Sequence, residues 1–139
     1  HATEVLFALG LGGRVTGVSD LCDYPAEVRG SGRRHTVTNS RIDSAAVPSA
    51  EVEASLAQAR ERGDQLFTLD VAWLRRARPG LVLTQDAPSG ESDGSVVGNA
   101  LRDAGLLDPE GESVTLVLRP RSLGDVLECV HSVGQAAGA

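Results

Sequence analysis

Aromatic side chains are scarce in this sequence: two Phe, one Trp and one Tyr among 139 residues. A core of stacked rings is thereby excluded, and Val, Leu and Ala must fill the interior. Cysteine is nearly absent too. Cys22 and Cys129 are far apart and are the only two, which excludes a disulfide framework and leaves no zinc-ligand spacing. Apolar runs are short, none approaching the ~20 residues that span a bilayer. Basic residues are outnumbered, 13 against 19 acids for a net charge of −6. The arginines are scattered among those acids, so the clustered cationic surface that binds phosphate backbones is missing and no nucleic-acid partner is expected. No signal-peptide pattern precedes the first helical pattern, so any targeting segment of the natural protein is expected upstream of His1.

What remains is enough for one α/β domain spanning 1–139 and too short for two of ordinary size. Val5, Leu6 and Leu9 form a helical stripe closed by Gly10, Gly12 and Gly13. Residues 15–18 read as a buried strand, 25–29 as a helical turn begun by proline, and 35–38 as a second strand. Ser49 heads a helix with Val52, Leu56 and Ala59 on one face, Glu51 and Glu53 early, Arg60 and Arg62 late, and Gly63 as its stop. Asp70 caps a further helix that Pro79 ends. Residues 81–83 form a continuous apolar strand of the kind covered on both faces, and a weaker helix over 95–104 closes at Gly105. Residues 113–118 form the last strand. Ser122 with Asp125 makes a capping box before a helix striped with Leu123, Val126, Leu127, Val130 and Val133. Alternating strands and helices predict right-handed crossovers and a mainly parallel sheet with helices on both faces, a three-layer α/β/α Rossmann-like arrangement.

In such a sheet ligands bind outside the carboxyl ends of the strands. Three polar strand exits, 19–24, 39–41 and 84–86, are expected on one edge. The first is the richest: V-T-G-V-S-D-L-C-D-Y-P over 15–25 displays acids, a thiol and a phenol on a turn. The expected ligand-binding residues are Cys22, Asp23, Tyr24, Ser40, Arg41, Gln85 and Asp86. No catalytic or metal-binding residue is expected. Asp is also a natural turn residue through its own backbone hydrogen bonds, which gives Asp20 and Asp23 a purely structural alternative. An Arg such as Arg41 suits a carboxylate or phosphate but commonly pairs with a neighbouring acid. Cys22 and His35 as nucleophile and base would need hydrogen-bond reach and an orienting third group, which spacing does not supply. Trp73 lies on an apolar helix face and is expected in the core.

The ordered pieces A-T-E-V-L-F-A-L-G-L-G-G-R-V-T-G-V, C-D-Y-P, S-R-I-D, S-A-E-V-E, L-F-T-L-D, R-P-G-L-V-L-T-Q-D and S-L-G-D-V-L resemble the N-terminal lobe of helical-backbone periplasmic binding proteins. These are the solute-binding components of ABC importers for cobalamin and iron-siderophore chelates. The resemblance covers nearly the whole chain. It implies one lobe of a two-lobe binding-protein fold, with 122–139 as the start of the helix that connects the lobes. It also implies capture without catalysis and without a resident cofactor. The transported ligand would be a corrinoid or ferric chelate, the partner an ABC transporter permease, and the location periplasmic or extracellular, peripheral to the membrane. The family has a strand just ahead of the A-T-E segment and a second lobe after the connecting helix. Neither is present here, so an excised single lobe is expected, with a natural single-lobe protein as the alternative.

The sequence departs from the family at several positions. Ser40 stands in the loop where cobalamin binders place an aromatic, Leu21 replaces the aromatic before Cys22, and Ala72 occupies the position of a glutamate that docks on the transporter. Two other classes stay open. A small Rossmann-like enzyme or nucleotide-binding module is disfavoured by the lack of a G-x-G-x-x-G or G-x-x-x-x-G-K-[ST] loop, since Gly10 to Gly13 follow a helix instead of preceding one. A single-lobe interaction domain that dimerises is the other.

Overall fold

The termini of the helices follow from a few residues. In the computed structural model, which describes residues 2–30, 32, 34–40, 48–62, 66–85, 93–107 and 113–139, α1 (Ala2–Ala8) ends where Gly10 turns to a positive φ of 74° and a 3-10 turn, Gly12–Arg14, follows. Strand β1 (Gly17–Val18) precedes α2 (Glu27–Gly30), and β2 (His35–Thr36) and β3 (Thr38–Ser40) follow it. Helix α3 (Ser49–Arg62) leads to β4 (Phe67–Leu69), α4 (Val71–Ala77), β5 (Leu81–Gln85), α5 (Asp93–Asp103), β6 (Val114–Leu118) and α6 (Leu123–Ala137).

Capping fixes where the later helices begin and end. The Asp70 carboxylate accepts the Trp73 amide at 2.8 Å and starts α4. Arg78, in the left-handed conformation, closes α4 before Pro79, which lacks the amide hydrogen to continue it. Gly105, at φ 69°, lets the Leu106 amide reach back to the Leu101 carbonyl at 2.9 Å. That geometry satisfies an end carbonyl and drives Leu106 into the core beside Leu101. Ser122 and Asp125 form the reciprocal capping box at the start of α6.

The strands pair two by two. β1 runs parallel to β2, β5 runs parallel to β6, and β3 lies antiparallel to β4. In place of the one mainly parallel sheet expected, the described residues form two parallel pairs and one antiparallel pair, with no ladder between β1 and β5. The shortness of β1, two residues, explains part of this, since a strand of that length carries few backbone groups for a second neighbour. β4 is an element the sequence pattern does not predict, because F-T-L becomes a strand only by pairing with the distant T-N-S of β3. Val37 lies between β2 and β3 and joins two pairs: its amide donates to Val18 at 2.8 Å and its carbonyl accepts from Asp70 at 2.9 Å.

Two apolar clusters form the interior. One gathers Leu74, Val97, Ala100, Leu101, Ala104 and Leu106, with Phe67, Trp73 and Val82 packed against it. The other gathers Val5, Leu118, Cys129 and Val133, with Leu6, Leu9, Leu83 and Leu116 around it. Neighbouring strand residues point to opposite faces, so Val82 serves the first cluster and Leu83 the second. The β5–β6 pair is therefore apolar on both faces, as its continuous L-V-L run predicts. Long-range polar ties reinforce the arrangement: Arg75 donates to the Asp103 carbonyl between α4 and α5 at 2.8 Å, and Arg14 donates to the Ala137 carbonyl at the end of α6 at 2.6 Å. No helix among the described residues is long and apolar enough to cross a membrane.

Candidate functional site

The exit of β1 is a tightly bonded turn. Ser19 accepts the Cys22 amide on its carbonyl at 3.0 Å and the Leu21 amide on its hydroxyl at 3.2 Å. These bonds are what a Ser-Asp sequence favours after a strand. Asp20 then reaches across to the neighbouring exit. Its amide donates to Thr38 Oγ1 at 3.0 Å, Thr38 and Ser19 hydroxyls donate to its Oδ1, and the Ser40 amide donates to Oδ2 at 2.7 Å. Partial burial pushes the Asp20 carboxyl up, but the hydrogen bonds from Thr38, Ser40 and Ser19 outweigh it and hold the group at about 2. Arg29, on α2, donates from Nε to the Cys22 carbonyl at 2.9 Å and from Nη2 to the Asp20 carbonyl at 2.7 Å.

The side chains expected to bind ligand divide into those brought together and those that are not. Cys22, Asp23 and Tyr24 lie on this turn, and Ser40 is tied to it through Asp20. Cys22 is half-buried with Sγ 3.2 Å from the Thr3 hydroxyl of α1, whereas Asp23 is exposed and Tyr24 is 66% exposed. Gln85 closes β5 opposite Leu118, with an exposed side chain. Its strand shares no ladder with β1 among the described residues, so sheet bonding does not join this third exit to the other two. Arg41 and Asp86 lie outside the described residues, as does His1.

His35 has a different partner from the one a Cys-His reading requires. Its Nε2 lies 2.9 Å from Asp70 Oδ2, and its ring stacks on Trp73 with centroids 5.0 Å apart. The Trp73 amide, and after it His35, hold the Asp70 carboxyl below its ordinary range. Trp73 is half-buried at the edge of the first apolar cluster, so the expected core residue also supplies a platform for His35. No group of three or more His, Cys, Asp or Glu side chains among the described residues is placed to hold a metal ion. A shallow groove of about 200 Å³ runs between β6 and α6, lined by Leu116 to Arg119 and by Asp125, Glu128, Cys129 and Ser132. None of the expected site residues lines it.

Sequence reasoning missed Arg29 and underused Asp20 and Leu21. Arg29 carried no signal, because its partners are main-chain carbonyls. Leu21 stood out as a replacement for an aromatic, and its 65% exposure beside Tyr24 makes it part of the outer surface of the turn. Comparison with protein-family profiles, with curated proteins and with solved structures returns no match.

Proposed function

We propose that this chain is the N-terminal lobe of a solute-binding protein of the helical-backbone type, serving an ABC importer for a corrinoid or a ferric chelate. Its strand exits form one wall of a cleft. In this reading the lobe is a three-layer α/β/α Rossmann-like unit, and 122–139 begins the helix connecting it to a second lobe. The two parallel pairs and the apolar coverage of β5–β6 on both faces support that architecture. The observation that carries the reading is the bonding of Asp20 to Thr38 and Ser40, which brings two of the predicted exits side by side.

The mechanism is capture. Two lobes close on the ligand, and the closed form docks on a permease outside the cytoplasmic face of the membrane, with no covalent step and no resident cofactor. A single lobe offers half the contacts, so weak affinity, between about 100 μM and 1 mM, is expected. Titration of isotope-labelled protein with cyanocobalamin and ferrioxamine, followed by amide chemical shifts, tests this. Shifts confined to the exits 19–24, 38–41 and 84–86 support the reading; shifts elsewhere, or none at millimolar ligand, overturn it, and submicromolar affinity overturns the single-lobe part.

The exposure of Leu123 at 78% and Leu127 at 66% on α6 favours a second reading, a domain that dimerises through this face. A strict monomer in sedimentation velocity at high concentration counts against it.

A further inference from the structure

Beside the side chains of Leu21 and Tyr24, both about two-thirds exposed, the first half of the turn 19–24 is bonded through its backbone: the amides of Asp20, Leu21 and Cys22 donate, and the carbonyls of Ser19, Asp20 and Cys22 accept. Arg29 grips the carbonyls of Asp20 and Cys22 with two separate nitrogens of one planar guanidinium, at 2.7 and 2.9 Å. A fork of this kind fixes both distance and angle between its acceptors, which a lysine ammonium cannot do. From the other side both carboxylate oxygens of Asp20 are taken, Oδ1 by Thr38 and Ser19 and Oδ2 by the Ser40 amide. Cys22 Sγ is held against Thr3 of α1 at 3.2 Å. With these groups committed, the apolar side chain of Leu21 and the ring of Tyr24 are what the turn presents, with the Asp23 carboxylate between them.

We infer that Arg29 and Asp20 are positioning residues that preform the 19–24 turn as a rigid wall, leaving Leu21 and Tyr24 as its ligand-facing side chains; this rests on the cleft reading above. Both oxygens of the part-buried Asp20 carboxylate are engaged within the protein, so the wall meets its ligand through an apolar edge and a ring, with the exposed Asp23 carboxylate beside them. The ligand class that fits is one with a broad apolar or π surface, such as a macrocycle, in preference to a polyanion. Preforming the wall removes the ordering cost that a mobile loop would pay on binding.

The test reads the turn without needing a ligand. The rate at which Cys22 reacts with a disulfide reagent is measured in the wild type, Arg29→Gln, Arg29→Lys and Asp20→Asn, with Cys22→Ser identifying the Cys22 phase against that of buried Cys129. Arg29→Gln is expected to raise the Cys22 rate about tenfold with helical circular dichroism unchanged, as local opening of the turn. Arg29→Lys, able to reach one carbonyl only, is expected between the two. A wild-type rate in Arg29→Gln overturns the inference. Should a variant unfold, hydrogen exchange on the wild type decides: the amides of Cys22 and Ser40 are expected to be protected, and free exchange at both overturns it. In the ligand arm, Leu21→Ser and Tyr24→Ala are expected to abolish the cyanocobalamin-induced shifts. If the wild type shows none, the cleft reading fails while the thiol-rate result still stands or falls by itself.

Discussion

The indole of Trp73 lies nearly parallel to the imidazole of His35, with an interplanar angle of 11° and ring centroids 5.0 Å apart. This stack joins β2 to α4, and the same α4 is capped by Asp70, whose second oxygen holds His35. The far edge of the indole rests against Gly17 of β1, where an added Cβ would lie 2.7 Å from Trp73 Cη2 and 2.6 Å from Val37 Cγ2.

Gly17→Ala therefore forces two packed side chains apart. The expected loss is about 1–3 kcal/mol, the usual cost of overpacking, read as a lower midpoint in urea with an unchanged slope. Trp73 fluorescence should shift with it. A midpoint equal to wild type would show that the strand and helix are not in this contact.

Asp20 makes stability depend on acid. Against the upward push of partial burial, hydrogen bonds from Thr38, Ser40 and Ser19 hold its folded carboxyl at about 2, below the ordinary 3.8 of an Asp side chain, so the unfolded chain binds the proton more readily. The stabilisation is full above about pH 4 and is lost as pH falls toward 2. A shift of this size is worth at most about 2.5 kcal/mol, and less after solvent screening of a group that is only partly buried. Urea unfolding at pH 5 and pH 2.5 checks it: Asp20→Asn should be less stable at pH 5 and should lose part of the wild-type drop between the two. Parallel curves for the two proteins would contradict the assignment.

Arg78 closes α4 at φ 43° and ψ 61°, a conformation that strains residues with a Cβ. Arg78→Gly is expected to raise stability by roughly 0.5–1 kcal/mol, since glycine adopts this geometry without the steric penalty and is the favoured residue there. Thermal unfolding should show a rise of a few degrees, and a fall would mean that the Arg78 side chain makes a contact worth more than the strain.

The helices were legible in the sequence because their signals are local. Asp70, Ser122 with Asp125, and Gly105 each act on residues within a turn of themselves. The strands were legible where apolar runs were long, as in 81–85 and 114–118. β4 was not, because Phe67, Thr68 and Leu69 become a strand only by pairing with Thr38, Asn39 and Ser40, some thirty residues earlier. The candidate site shows the same division. The turn at 19–24 announced itself by composition, yet the bonds from Asp20 to Thr38 and Ser40 and from Arg29 to two carbonyls depend on chain geometry that no local pattern encodes. Composition also pointed to Asp23 and Tyr24 as ligand contacts while giving Leu21 no such role.

Val37 hands its amide to β1 and its carbonyl to the residue that caps α4. One peptide segment is thus a mechanical bridge between the mouth of the turn and the start of a core helix. Strain placed on β1 would pass through Val37 and load the α4 cap, so Trp73, seated on that helix with its indole edge against Gly17, is placed to report optically on changes in β1.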